Sequence, residues 1–201
     1  MGLTENLAVA AAGRPHPNEP VSGDAWSVRW EAGVCRLAVV DGAGHGPAAE
    51  MAAAIAIGTF EESLGLAPAE VLRICHGRLR GTRGAVMAVA VIDPAGNTLE
   101  VAGVGNIEAR LLMDGREQHP ISQRGMLGSN IPTIRPFTTS LPREWLLVLH
   151  TDGIRTRWKL EEASEDALPV NRLAERILER HARTDDDACV VVVRPAASEG
   201  K

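Results

Sequence analysis

Four aspartates in this chain share one kind of surrounding. Asp24 opens an apolar segment, Asp41 and Asp152 each close one immediately before a glycine, and Asp186 stands just ahead of another. Strand ends can bring such carboxylates together from distant parts of a sequence. Gathered in a partly buried place they repel one another, and the repulsion is relieved by a cation held among them. An oxygen-only set, with no His or Cys cluster at zinc spacing, suits a hard divalent ion such as Mg²⁺ or Mn²⁺. Taken singly, Asp41-Gly42 and Asp152-Gly153 also read as simple turns. The joint pattern carries the chemistry.

Other chemistries find less support. Gly42-Ala-Gly-His-Gly46 lies between a strand and a helix, as a dinucleotide-binding loop does, but G-x-G-x-x-G requires glycine where Pro47 stands. Glu108 interrupts a second candidate, Gly103-Val-Gly105, in the same way, and no P-loop is present. Cys35, Cys75 and Cys189 are odd in number and far apart, so they form neither a disulfide framework nor a CxxC site. They read as small buried hydrophobes in a reducing compartment. A net charge of -5, with 3% aromatic residues and no Tyr, argues against nucleic acid or an acidic membrane as partner. The run Leu7 to Ala12 has no basic region before it and is not a secretory signal, and Asn6 breaks a myristoylation pattern. Met51 to Phe60, the most apolar stretch, is far shorter than the ~20 residues a membrane span needs. A cytoplasmic protein is expected.

The elements that must position the aspartates follow from periodicity. Trp26 to Trp30 and Val34 to Val40 read as a hairpin about the turn at 31 to 33. Asp41 and a glycine break follow, then Pro47 as a first helical residue and the small-residue helix Ala48 to Phe60, which should be sandwiched closely between other elements. A second helix spans about Pro68 to Arg80. Val86 to Ile92, Thr98 to Val104 and Ile107 to Met113 alternate with period two and read as one antiparallel meander. Strands are expected near Ile134 to Thr139 and over Trp145 to His150, a surface insertion over Arg155 to Asp166, a helix over Val170 to Ala182 and a last strand over Cys189 to Arg194. Residues 1–194 form one expected domain, and the tail from Pro195 to Lys201 is expected to be disordered. The fold class is α+β, two antiparallel sheets packed together with helices on their outer faces.

Several blocks together resemble a known family. They are Ser22-Gly-Asp-Ala25, Val39-Val-Asp-Gly-Ala-Gly-His-Gly-Pro-Ala-Ala49, Ala102-Gly-Val-Gly-Asn-Ile107, Gly125-Met-Leu-Gly128, Leu149-His-Thr-Asp-Gly-Ile154 and Asp186-Asp-Ala-Cys-Val-Val-Val-Val193. In this order they are similar to the metal-dependent (type-2C) serine/threonine protein phosphatases, in the bacterial sporulation and stress-response branch. The resemblance implies a four-layer α-β-β-α sandwich and two ions, Mn²⁺ or Mg²⁺. Asp41 would bridge them, Asp152 and Asp186 would complete one site, and Asp24 with the Gly42 carbonyl the other. It implies direct attack of a metal-bridging water on phosphorus, without a phosphoenzyme. The implied substrates are phosphorylated STAS-domain stressosome proteins, met by a monomeric enzyme that resets stress signalling.

Two positions depart from the animal members, as they do throughout the bacterial branch. Ala43 stands where those members have histidine, and no basic residue lies nearer before Asp24 than Arg14. His45 is a candidate general acid, set against a turn or helix-capping role, while Asn106 and Ser129 read as turn residues. Trp158 is the bulky apolar residue of the insertion and the place to seek a partner contact. The rival function is a phosphatase fold that docks on STAS proteins or a kinase without turnover.

Overall fold

The computed structural model describes residues 7–131, 133–160 and 168–196. Strand β1 is Leu7–Arg14, β2 Asp24–Glu31 and β3 Val34–Gly42. Helices α1, Pro47–Glu62, and α2, Pro68–Arg78, follow. Next come β4, Ala85–Asp93, β5, Thr98–Val104, β6, Glu108–Met113, and β7, Arg116–Gln118. The chain ends with β8, Phe137–Ser140, β9, Trp145–His150, α3, Val170–His181, and β10, Ala188–Pro195. The strands form two five-stranded antiparallel sheets, ordered β1-β10-β9-β6-β7 and β2-β3-β4-β5-β8.

The layers follow from the alternation of side chains along each strand. In β3, Cys35, Leu37 and Val39 face the other sheet and meet Leu111, Leu147, Leu149 and Val191, while Ala38 and Val40 face α1 and α2. On the outer face of the first sheet, Val148, Val190 and Val192 pack against Leu173, Ala174 and Ile177 of α3. Each fully buried Val or Leu side chain contributes roughly 1.5–3 kcal/mol by leaving water. This is the expected α-β-β-α sandwich. Among the described residues, no helix is long and apolar enough to cross a membrane.

The β2–β3 hairpin turns on Ala32-Gly33, both at positive φ (50° and 83°), as a tight two-residue loop requires. The meander, in contrast, is broken. β4 and β5 pair in the second sheet, but β6 pairs with β9 and β7 in the first. At the crossing, Gly105 has φ +102, and a Cβ there would stand 2.1 Å from Val86 Cγ1. Its N–H donates to Gln123 O instead of closing a hairpin. The period of two persists across the crossing because both strands bury one face.

Other expectations need correction. The run from Leu7 is an edge strand paired with β10, and that pairing reaches Pro195, so the last strand extends into the supposed tail. Residues 161–166 of the expected insertion and 197–201 of the expected tail lie outside the described residues. The insertion's first part lies at the surface, with Arg155, Thr156, Arg157 and Lys159 exposed, but it is anchored there: Leu160 is fully buried and the Arg155 N–H donates to His181 O at 2.9 Å. Helix α1 is not enclosed all round either: Ala49, Ala52, Ala53 and Ala56 face the sheet and α2, while Met51 is exposed. The three cysteines are buried and free, as expected.

Candidate active site

The register of β2 and β3 places Asp24 directly opposite Asp41. Residues opposed in an antiparallel pair project to the same side, so two acidic side chains meet at the end of the second sheet. Gly42 N–H donates to Gly23 O at 3.0 Å and holds the strand end shut. The first turn of α1 presses on this point, where a Cβ on Gly42 would stand 2.1 Å from Ala49 O. No larger residue fits without moving the helix.

The first sheet supplies the remaining groups. Thr151, directly after β9, donates from Oγ1 to Asp24 Oδ2 at 2.6 Å, and accepts the Cys189 N–H at 3.0 Å. Asp152 Oδ2 accepts a 2.7 Å hydrogen bond from Asn106 Nδ2, on the turn where the chain changes sheets. Asp186 and Asp187 lead into β10. Asp187 is buried, its Oδ1 accepts the His16 N–H at 2.8 Å, and its Oδ2 has no partner among the described residues. A Cβ on Gly23 would stand 3.1 Å from that Oδ2 and 3.4 Å from Gly42 O, so both oxygens border the bare face of Gly23.

The electrostatics are those of a site short of positive charge. Burial, then the neighbouring Asp41, pushes the Asp24 carboxyl up to about 8; the Thr151 hydrogen bond opposes the shift and Asp187 and Asp152 add to it. Asp41 is raised to about 7 by burial and by Asp152, Asp186 and Asp187. Asp186 is raised by burial and Asp152, with Arg183 opposing. Among the described residues no three His, Cys, Asp or Glu side chains stand at the spacing of a closed ion site. The carboxylates repel across the opening, and gathering around an ion would require them to turn inward.

The structure thus brings Asp24, Asp41, Asp152 and Asp186 into one electrostatic neighbourhood, with Gly42 beside them. Sequence reading missed two members and misjudged another. Asp187 was hidden within an aspartate run, Thr151 by its ordinary place before Asp-Gly, and Asn106 serves as more than a turn residue. Ser129 does lie in a turn, its N–H donating to Met126 O. His45 caps no helix: the N-cap of α1 is Gly46, without a side-chain cap. Its Nδ1 lies 2.6 Å from Glu19 Oε1, and its ring stacks on His16 at 4.8 Å.

Trp158 also departs from expectation. Its ring lies between the Arg110 guanidinium, 3.9 Å from the centroid, and the His181 ring, stacked at 5.0 Å. Arg110 is buried, pairs with Glu117 and donates from Nη2 to Trp158 O at 2.7 Å. The segment after Asp152 is therefore fastened to the first sheet and to the end of α3. Trp158 is an anchor here rather than an exposed partner contact.

Two five-stranded antiparallel sheets between helices, with carboxylates at the strand ends, are the architecture of PP2C-type phosphatases. The chain belongs to the Stage II sporulation protein E (SpoIIE) family, which matches residues 31–196, and is thus a PP2C-family protein phosphatase. A chain solved in work on the bacterial stressosome, described as a modular system adapted to control secondary messenger signalling, is 36% identical. The match covers 94% of this chain and 100% of that one, with a TM-score of 0.90. RsbX in complex with magnesium shares 17% identity over 94% of this chain and 96% of its own, with a TM-score of 0.86. The catalytic domain of the serine/threonine phosphatase PstP, in complex with two manganese ions, shares 18% over 94% and 99%, with a TM-score of 0.67. No curated protein sequence matches this chain.

Proposed function

We propose that this chain is a Mn²⁺- or Mg²⁺-dependent serine/threonine phosphatase that dephosphorylates STAS-domain proteins of a stressosome. The observation that carries the reading is the opposed pair Asp24 and Asp41, both carboxyls pushed up by burial, Asp24 further by Asp41 and Asp41 further by Asp152, Asp186 and Asp187. The unpartnered Asp187 Oδ2 beside the Gly42 carbonyl adds oxygen donors of the same hard type. Such a set fits divalent cations. Asp41 would be shared between two of them, with Asp152 and Asp186 on one side and Asp24 and the Gly42 carbonyl on the other. Ions held there would supply Lewis acidity toward the phosphoryl oxygens and an activated water for in-line attack.

The protein's own part is placement. Thr151 fixes the rotation of Asp24, and Asn106 that of Asp152, so two carboxylates stay oriented as charge changes between them. A covalent route through cysteine has no support, because burial pushes the Cys35 and Cys75 thiols up to about 12 and Cys189 is also raised. The substrate class is supported by the 36% identical stressosome chain and the likeness to RsbX.

The test is phosphate release from a phosphorylated STAS-domain protein in Mn²⁺, beside a chelator arm and Asp41→Asn. Release abolished in both arms is expected. Intact phosphoprotein that still binds tightly would replace this reading with a non-catalytic docking module.

A further inference from the structure

A phosphoryl group entering this acidic site meets carboxylate repulsion beside the pull of whatever cations the site holds. Asp24, Asp41, Asp152, Asp186 and Asp187 act on one another as like charges, and Arg183 is the positive group that opposes them at Asp186. A phosphomonoester is a dianion near neutrality and needs a fixed positive group at the opening. Two nearby arginines are already engaged. Arg183 donates from Nε to Asp152 O at 2.8 Å, and the Arg14 guanidinium donates to the Arg183 carbonyl.

Arg83 is differently placed. It is exposed, and among the described residues its side chain has no hydrogen bond or ion pair. Its Nη1 lies over the loop that follows Asp41, where a Cβ on Gly44 would stand 2.9 Å from it. The turn that carries it is rigid: Thr82 Oγ1 donates to Leu79 O at 2.7 Å and accepts the Gly84 N–H at 3.0 Å. Gly84 O in turn accepts the Ala43 N–H at 3.0 Å, tying this turn to the loop two residues after Asp41. Gly44, at φ +90 and without a side chain, leaves the guanidinium its place.

We propose that Arg83, held over Gly44 on the loop that follows Asp41, binds the phosphoryl oxygens of the incoming substrate. The planar fork of a guanidinium matches two oxygens of one phosphoryl group, and an arginine unpaired within the protein need break no internal ion pair to do so. This inference rests on the phosphatase reading above, and it assigns to α2's following turn a role in recognition.

The experiment measures inorganic phosphate binding to the Mn²⁺-loaded protein by calorimetry, together with kcat and KM for p-nitrophenyl phosphate. Arg83→Ala should weaken phosphate binding and raise KM by about tenfold or more, the scale of a lost charged fork. Mn²⁺ affinity should equal that of the wild type, and Arg83→Lys should recover only part of the loss, since it keeps the charge without the fork. Unchanged phosphate affinity and KM in Arg83→Ala overturn the proposal while leaving the phosphatase reading intact. A wild-type protein that binds neither Mn²⁺ nor phosphate overturns both.

Discussion

Thr151 and Asp24, 127 residues apart in sequence, are joined by a 2.6 Å hydrogen bond that crosses from one sheet to the other at the mouth of the site. The same hydroxyl accepts the Cys189 N–H, so one side chain links β2, the end of β9 and the start of β10. Thr151→Val keeps the shape and removes both bonds. Urea unfolding should show a loss of about 1–3 kcal/mol, because a buried N–H and a buried carboxyl lose their partner. Thr151→Ser should recover most of it, and equal stability of the Val and Ser variants would contradict the account.

Asn106 touches the acidic site through a side chain rather than as a turn residue. Asn106→Ala frees the Asp152 carboxylate to rotate, and Mn²⁺ affinity should fall about 10–100-fold, the usual scale for removing a partner that orients a ligand. Isothermal titration reads this directly. Thermal stability without metal should change little, since Asn106 lies at an exposed hydrogen bond.

Ion binding should also appear as stability. A cation that binds only the folded chain raises Tm with concentration as mass action requires. In Asp41→Asn the Mn²⁺-dependent rise should vanish. The same titration of the wild type with a chelator present provides the baseline, and a concentration-dependent rise surviving in Asp41→Asn would remove that residue from the ion site.

His150 gives the pH dependence a defined sign. Burial lowers its imidazole to about 4, while the Nδ1 contact with Thr151 O at 2.9 Å opposes the shift. An unfolded histidine titrates near about 6.5, so between these values the unfolded chain binds the extra proton. Its contribution is complete above the unfolded value and is lost as pH falls toward 4. The slope is at most about 1.4 kcal/mol per pH unit. Unfolding free energies of wild type and His150→Gln, compared between pH 7 and pH 4, should converge on acidification.

Trp158 is the test of the anchor. Trp158→Ala removes the ring between Arg110 and His181 and should cost about 3 kcal/mol in chemical unfolding, the lower end for a core aromatic because the residue is only part-buried. An unchanged midpoint would restore the reading of Trp158 as a surface contact.

Much of this molecule was legible before its folding was known, and particular residues show why. Asp24, Asp41, Asp152 and Asp186 stand out because each interrupts the edge of an apolar run, a signal strictly local in sequence. Strand partnership is not local: Ile107 to Met113 has the alternation of its neighbours, and only the Gly105 turn, with its N–H committed to Gln123, sends β6 to the other sheet. Leu7 to Ala12 does not read as a strand because it is apolar throughout, mostly small alanines with Val9 its one β-branched residue, and has no polar alternation; it takes its conformation from β10. Asp187 escapes a sequence reading, and Asn106 reads there only as a turn residue, because their partners, His16 and Asp152, come from remote segments.

The seam between the sheets gives the acidic site a mechanical meaning. Asp24 and Asp41 ride on one sheet, and Asp152, Asp186 and Asp187 on the other. An ion that draws both groups inward clasps two independently built layers, so ion affinity and interlayer adhesion become reciprocal quantities. Whatever pries the layers apart loosens the ion by the same free energy, and whatever squeezes them tightens it. The acidic site is in this sense also a strain gauge of the sandwich.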